Sequence, residues 1–149
     1  MSRTSSFIVL FAAATLLAVS LAVSGCAPKG PTYVDAGASY SQSALASVYA
    51  LADTSKLASQ SAADTTKLRH DALTGLRRQG GTAATAADLM TKTFPPSTRG
   101  VPVYVERALF DGKQALVVVE AIGPASGKLT TKRLWVLSDS GSVLFVGTK

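Results

Sequence analysis

The chain has 149 residues, 15 Lys+Arg against 9 Asp+Glu and a formal net charge of +6, with 47% hydrophobic residues. That length allows one ordinary domain with a tail and excludes a multidomain machine. One Cys and one His exclude an intrachain disulfide and a zinc site of the finger or ribbon type, and no cofactor is implied.

Hydrophobicity is concentrated at the N-terminus. Met1 to Ser6 is short and polar, with Arg3 its one charged side chain, and an uncharged apolar run follows from Phe7 to Val23. This is the order of a secretory signal. Seventeen helical residues would reach ~26 Å, short of a ~30 Å hydrocarbon core. The run ends in Val23-Ser24-Gly25-Cys26, an aliphatic residue, two small ones and the chain's one cysteine. This tetrapeptide resembles the lipobox of bacterial lipoproteins. The resemblance covers residues 1–26 and implies a signal peptide over 1–25, cleavage before Cys26, and a diacylglyceryl thioether on its sulfur, with a further acyl chain on the new amino terminus in some members. It also implies a cell-envelope location, on the outer face of the cytoplasmic membrane. Ala27 in place of Asp directs such proteins to the outer membrane where there is one.

Residues 26–38 contain Pro28, Gly30, Pro31 and Gly37 and are expected to form a tether ahead of a domain over 39–149. Ser39-Tyr40-Ser41-Gln42 fits a capping box, and Leu45, Val48, Tyr49 and Ala52 follow at helical spacing. Asp53-Thr54-Ser55 interrupts the pattern. It resumes from Ser61, with Leu68, Ala72, Leu73 and Leu76 as a stripe, Arg77 and Arg78 at the C-terminal end, and Gly80-Gly81 as a stop. One long helix or two fit residues 39–79. A shorter helix is expected over about 83–92, before Pro95-Pro96.

The period then changes to two. Strands are expected over 101–110, 113–122, 129–137 and 142–148, with Asp111-Gly112 as a tight hairpin turn. Ala115 to Val119 is apolar on both faces, as a central strand would be. The fold class is α+β, two or three N-terminal helices packed on a four-stranded antiparallel meander. That layout resembles the cystatin-like and NTF2-like architectures.

Catalytic residue types are scarce. His70 sits in the charged helical stretch Lys67-Leu68-Arg69-His70-Asp71 and reads as a solvated surface residue, since neighbours at i+1 diverge on a helix. Ser126-Gly127-Lys128 lacks the earlier Gly and following Ser/Thr of a phosphate loop. Glu106 and Glu120 lie on predicted strands. If Glu120 points inward it needs a cation, with Arg107, Lys132 and Arg133 as candidates. Arg133 and Trp135 share a strand face, either as a binding platform or, the favoured reading, as a core indole beneath the helices with the arginine head at the sheet margin. Tyr104, Glu120, Arg133 and Trp135 are therefore the candidate ligand or partner contacts.

Without Arg3 the net charge is +5, suited to anionic headgroups or envelope polymers. No basic stretch with interleaved aromatics points to nucleic acid. The expectation is a membrane-anchored, non-catalytic binding or interaction module, whose partner is an envelope protein or an anionic envelope polymer. The alternative is a small envelope hydrolase or ligand carrier with a pocket between helices and sheet. An accessory subunit is the third possibility.

Overall fold

A computed structural model describes residues 30–94 and 100–149. The signal peptide over 1–25 and Cys26 lie outside the described residues. The elements in chain order are β1 (Thr32–Val34), β2 (Ser39–Tyr40), a 3-10 turn (Gln42–Ser47), α1 (Val48–Leu51), a second 3-10 turn (Ala62–Asp64), α2 (Thr65–Gln79) and α3 (Gly81–Thr93). The strands β3 (Val101–Phe110), β4 (Lys113–Ile122), β5 (Thr131–Ser138) and β6 (Val143–Thr148) complete the chain.

The class is α+β. The sheet has six strands rather than the expected four: β3, β4, β5 and β6 are successive antiparallel neighbours, and β1 and β2 both add in parallel to the outer edge of β3. Thr32 aligns with Tyr104, and Ser39 with Leu109, so the two short strands occupy successive stretches of one edge. The Asp111-Gly112 turn forms as its sequence predicts, with positive φ at both residues (48° and 77°), and joins Phe110 to Lys113.

Several of the expected boundaries move. The stretch taken as tether over 26–38 is docked from Gly30 onward. Pro31 is buried, Thr32–Val34 pairs with β3, and a Cβ on Gly30 would lie 3.2 Å from the Gly75 backbone of α2. Proline and glycine argued against regular packing, but an edge strand of three residues needs few donors and gains Tyr33 and Val34 as core-packed side chains. The helix expected from Ser39 does not form as one unit. Ser39–Tyr40 is strand, the following turn is 3-10, and α1 spans four residues. Asp53 folds back to accept from Ser55 N at 2.9 Å, a local bond that competes with helix. The expected restart at Ser61 holds, its hydroxyl accepting from Ala63 N at 3.2 Å. Gly80 and Gly81, at φ 74° and 52°, both end α2 and admit the start of α3 two residues before the expected 83.

The sheet is covered on both faces. On one, α2 and α3 press Leu73, Leu76, Ala87, Met90 and Phe94 onto Val105, Leu116, Val118, Trp135 and Leu137. On the other, Leu45, Val48, Tyr49 and Ala52 pack against Tyr104, Ala108, Val117, Val119, Leu134 and Val136. Lys132 secures that second layer by donating to Tyr49 O and Ala52 O at 2.9 and 2.7 Å, satisfying carbonyls at the end of α1. β4 is buried on both sides, as its unbroken apolar run predicts. The outer strand β6 leaves Val143, Leu144 and Val146 exposed. Among the described residues no helix is long and apolar enough to cross a membrane.

Leu76 is fully buried at the centre of the helix-side core. Leu76→Ala should lower unfolding free energy by about 2–5 kcal/mol, read as a drop in the urea midpoint without a change in slope.

Candidate functional site

Glu120 sits near the end of the central strand and has no solvent exposure. By alternation it shares the helix-side face with Val118, and its direct neighbour on β5 is Arg133. Its Oε2 accepts from Trp135 Nε1 at 2.9 Å, from Arg133 Nη2 at 3.2 Å and from Gly100 N at 3.2 Å. Its Oε1 accepts from Nη1 of Arg69, which descends from α2 and is 4% exposed. The same Nη1 donates to Gly100 O at 2.8 Å.

Aromatic rings enclose the ions. The Arg69 guanidinium lies 5.1 Å from the Phe94 ring centre, the Arg133 guanidinium 5.1 Å from that of Trp135, and the two rings meet at 4.9 Å and 49°. Burying a carboxylate is costly unless hydrogen bonds or ion pairs compensate it, and this one has two guanidinium groups, an indole and a backbone amide. Three of these donors converge on Oε2 and one reaches Oε1. The arrangement ties α2, β4, β5 and the Gly100 backbone together at one point.

Gly100 is required by the close approach. A Cβ there would lie 2.6 Å from Ile122 Cγ2, 2.8 Å from Ala121 O and 2.8 Å from Glu120 Cβ.

The second strand carboxylate is on the other face. Glu106 is 2% exposed, and its Oε2 accepts from Tyr40 OH at 2.9 Å and Tyr104 OH at 3.0 Å. Among the described residues no cation pairs with it. Burial, followed by the Glu106 hydrogen bond and charge, pushes the Tyr40 hydroxyl from 10.0 up to about 12 and raises that of Tyr104 further. The sheet separates Glu106 from Glu120, so the two cannot flank one scissile bond as a carboxylate pair must.

The four candidate contacts therefore divide. Glu120, Arg133 and Trp135 meet on the helix side, whereas Tyr104 joins Tyr40 and Glu106 behind the sheet. Trp135 is a core residue, 8% exposed, as the favoured reading holds. The Arg133 head turns inward to Glu120 rather than into water, with 17% of its side chain exposed. Of the three cations proposed for Glu120, Arg133 is the partner, Lys132 caps α1, and Arg107 lies farther along β3. Sequence reasoning missed Arg69, the most buried partner. Its only signal was its position three residues before Ala72 and four before Leu73 on the stripe, where a cation calls for a buried anion.

His70 is exposed on α2 and, with Arg69, Arg77, Thr91 and Gly123, borders a cavity of about 560 Å³. Arg77 is engaged there, donating to Asp88 Oδ1 at 2.9 Å and Thr91 Oγ1 at 2.7 Å. A second cavity, of about 240 Å³, opens between α3 and the sheet. Among the described residues no group of three or more His, Cys, Asp or Glu side chains is placed to hold a metal ion. Comparison with protein-family models, curated proteins and solved structures yields no match for this chain.

Two measurements check this geometry. Glu120→Gln should cost about 3–5 kcal/mol in urea unfolding, because two guanidinium groups then stay buried without their anion. For the tyrosines, the folded state holds the phenolic proton more tightly than the unfolded chain. Their contribution is thus fully present below pH 10 and is lost as pH rises from 10 through about 12. Tyr40→Phe should flatten this alkaline fall in a urea-midpoint titration.

Proposed function

We propose that the chain is a lipid-anchored bacterial envelope lipoprotein whose α+β domain is a non-catalytic binding or interaction module. One observation carries the reading: Val23-Ser24-Gly25-Cys26 closes the uncharged run Phe7 to Val23 and places the chain's one cysteine where a lipobox requires it. Two acyl chains on one glycerol supply the double hydrophobic signal that stable anchoring takes, at ~0.8 kcal/mol per buried CH₂. The domain then sits on the outer face of the cytoplasmic membrane, or at the outer membrane given Ala27. With packing starting by Pro31, five residues beyond Cys26, the chain between them spans at most ~18 Å, so the domain lies close to the lipid surface.

The enclosure of Glu120 by Arg69, Arg133 and Trp135 and the placement of Glu106 on the opposite face of the sheet favour binding over hydrolysis. The net charge of +5 without Arg3 favours an anionic envelope polymer or an acidic envelope protein as partner. The α+β class by itself assigns no activity.

Cys26→Ala in the full chain should abolish acyl attachment and leave the signal peptide in place, read as an intact-mass increase by residues 1–25 less the lipid and as loss of detergent-phase partition. Unchanged mature mass and membrane fractionation would overturn the proposal.

A further inference from the structure

The 240 Å³ cavity between α3 and the sheet has a built charge pattern. One wall is the α3 face Thr82, Thr85, Ala86 and Leu89, spaced i, i+3, i+4 and i+7, and the floor includes Leu116, the direct β4 neighbour of Arg107. Arg107 and Asp139 both line the cavity, yet no ion pair joins them, and among the described residues neither has a hydrogen-bond or ionic partner. A half-buried arginine in the middle of a strand ordinarily finds an anion.

The remaining polar groups are acceptors. Thr82 already donates its hydroxyl proton to Asp35 Oδ2 at 2.9 Å and Thr85 donates its own to Gly81 O at 3.3 Å, so both offer only lone pairs to a ligand. Asp139 adds a carboxylate on the β5–β6 turn. That turn is held against α3, since a Cβ on Gly141 would lie 2.5 Å from Thr93 Oγ1 and 3.2 Å from Leu89 Cδ1. The cavity thus presents one cationic donor, a set of acceptors and an apolar surface from Ala86, Leu89 and Leu116. Its volume falls below the ~300–1,000 Å³ of drug-sized sites.

We propose that this cavity binds a free aliphatic α-amino acid, its carboxylate on Arg107, its ammonium on Asp139 and the threonine hydroxyls, and its side chain against the apolar wall. The assignment rests on the binding-module reading and deepens it by naming a ligand class. A guanidinium matches a carboxylate with two parallel donors, and an ammonium brings the donors that the other wall lacks.

The test uses the full chain in detergent micelles with L-leucine as probe, followed by titration calorimetry. Leucine should bind, while isocaproate, which lacks the amine, and isoamylamine, which lacks the carboxylate, should each bind at least ~10-fold more weakly. Arg107→Met and Asp139→Asn should each weaken leucine binding by a similar factor. Asp139 lies on an exposed turn, so its variant keeps the wild-type urea midpoint and remains informative if the Arg107 variant fails to fold. Cys26→Ala should bind leucine as the wild type does, which separates failure at this cavity from failure of the anchoring proposal. The assignment is overturned by absence of leucine binding at millimolar concentration, by equal binding of the single-charge analogues, by undiminished binding in Asp139→Asn, or by tighter binding of a leucyl-leucine dipeptide.

Discussion

The ion cluster around Glu120 constrains this fold more than any other contact. A carboxylate with no exposure on a central strand must be met by donors from whatever packs above it, and α2 supplies Arg69 at that point. The demand is geometric as well as electrostatic. Trp135 and Arg133 must come from the neighbouring strand at the right register, and the backbone at Gly100 must approach closely enough to exclude any side chain of its own. A hydrophobic replacement could fill the same volume, and buried ion pairs are often no more stabilising than such replacements. What the ions contribute is selectivity: a slipped strand or rotated helix would strand a charge away from water.

The sheet acts as a partition. Its helix side carries the Glu120 cluster and the cavity at Arg107, while its other side carries Glu106 between two phenols. Each carboxylate is thereby locked into its own environment, one among cations and one among neutral hydroxyls. Cooperation between them is closed off, and the open polar groups are left at the cavity under α3. The edge of β3 opposite β4 is sealed by β1 and β2, so the chain's entry to the domain is itself part of the sheet. Under the lipoprotein proposal this short approach brings the β1 edge near the bilayer and leaves β6, with Val143, Leu144 and Val146 exposed, at the opposite edge.

Much of the architecture was legible locally. The alternation in residues 101–110, the apolar run at 115–119 and the Asp111-Gly112 turn are short-range signals, and each specifies a strand or a reversal without help from elsewhere. The segment 30–60 was not legible in this way. Its Pro, Gly, Ser and Ala residues have weak or conflicting preferences, and its β1, β2 and 3-10 segments exist because β3 offers an edge and the rear face of the sheet needs cover. The candidate site shows the same division. Arg133 and Trp135 are two residues apart on one strand and were visible as a pair, and Glu120 was recognisable as an anion in want of a cation. Arg69, 51 residues away from Glu120 in sequence, was not.

By itself the sequence determined the lipobox resemblance, the period of the C-terminal strands, the helix stop at Gly80-Gly81 and the scarcity of catalytic residue types, because each of these depends on residues adjacent or nearly adjacent in the chain. Tertiary structure alone decided which face each carboxylate occupies, which arginine meets Glu120, that Tyr104 parts company with the other candidate contacts, and that Arg107 and Asp139 share a cavity. Those outcomes depend on strand order, register and the descent of helices onto the sheet, and the energy of burying a charge is set by neighbours that only the folded chain brings together.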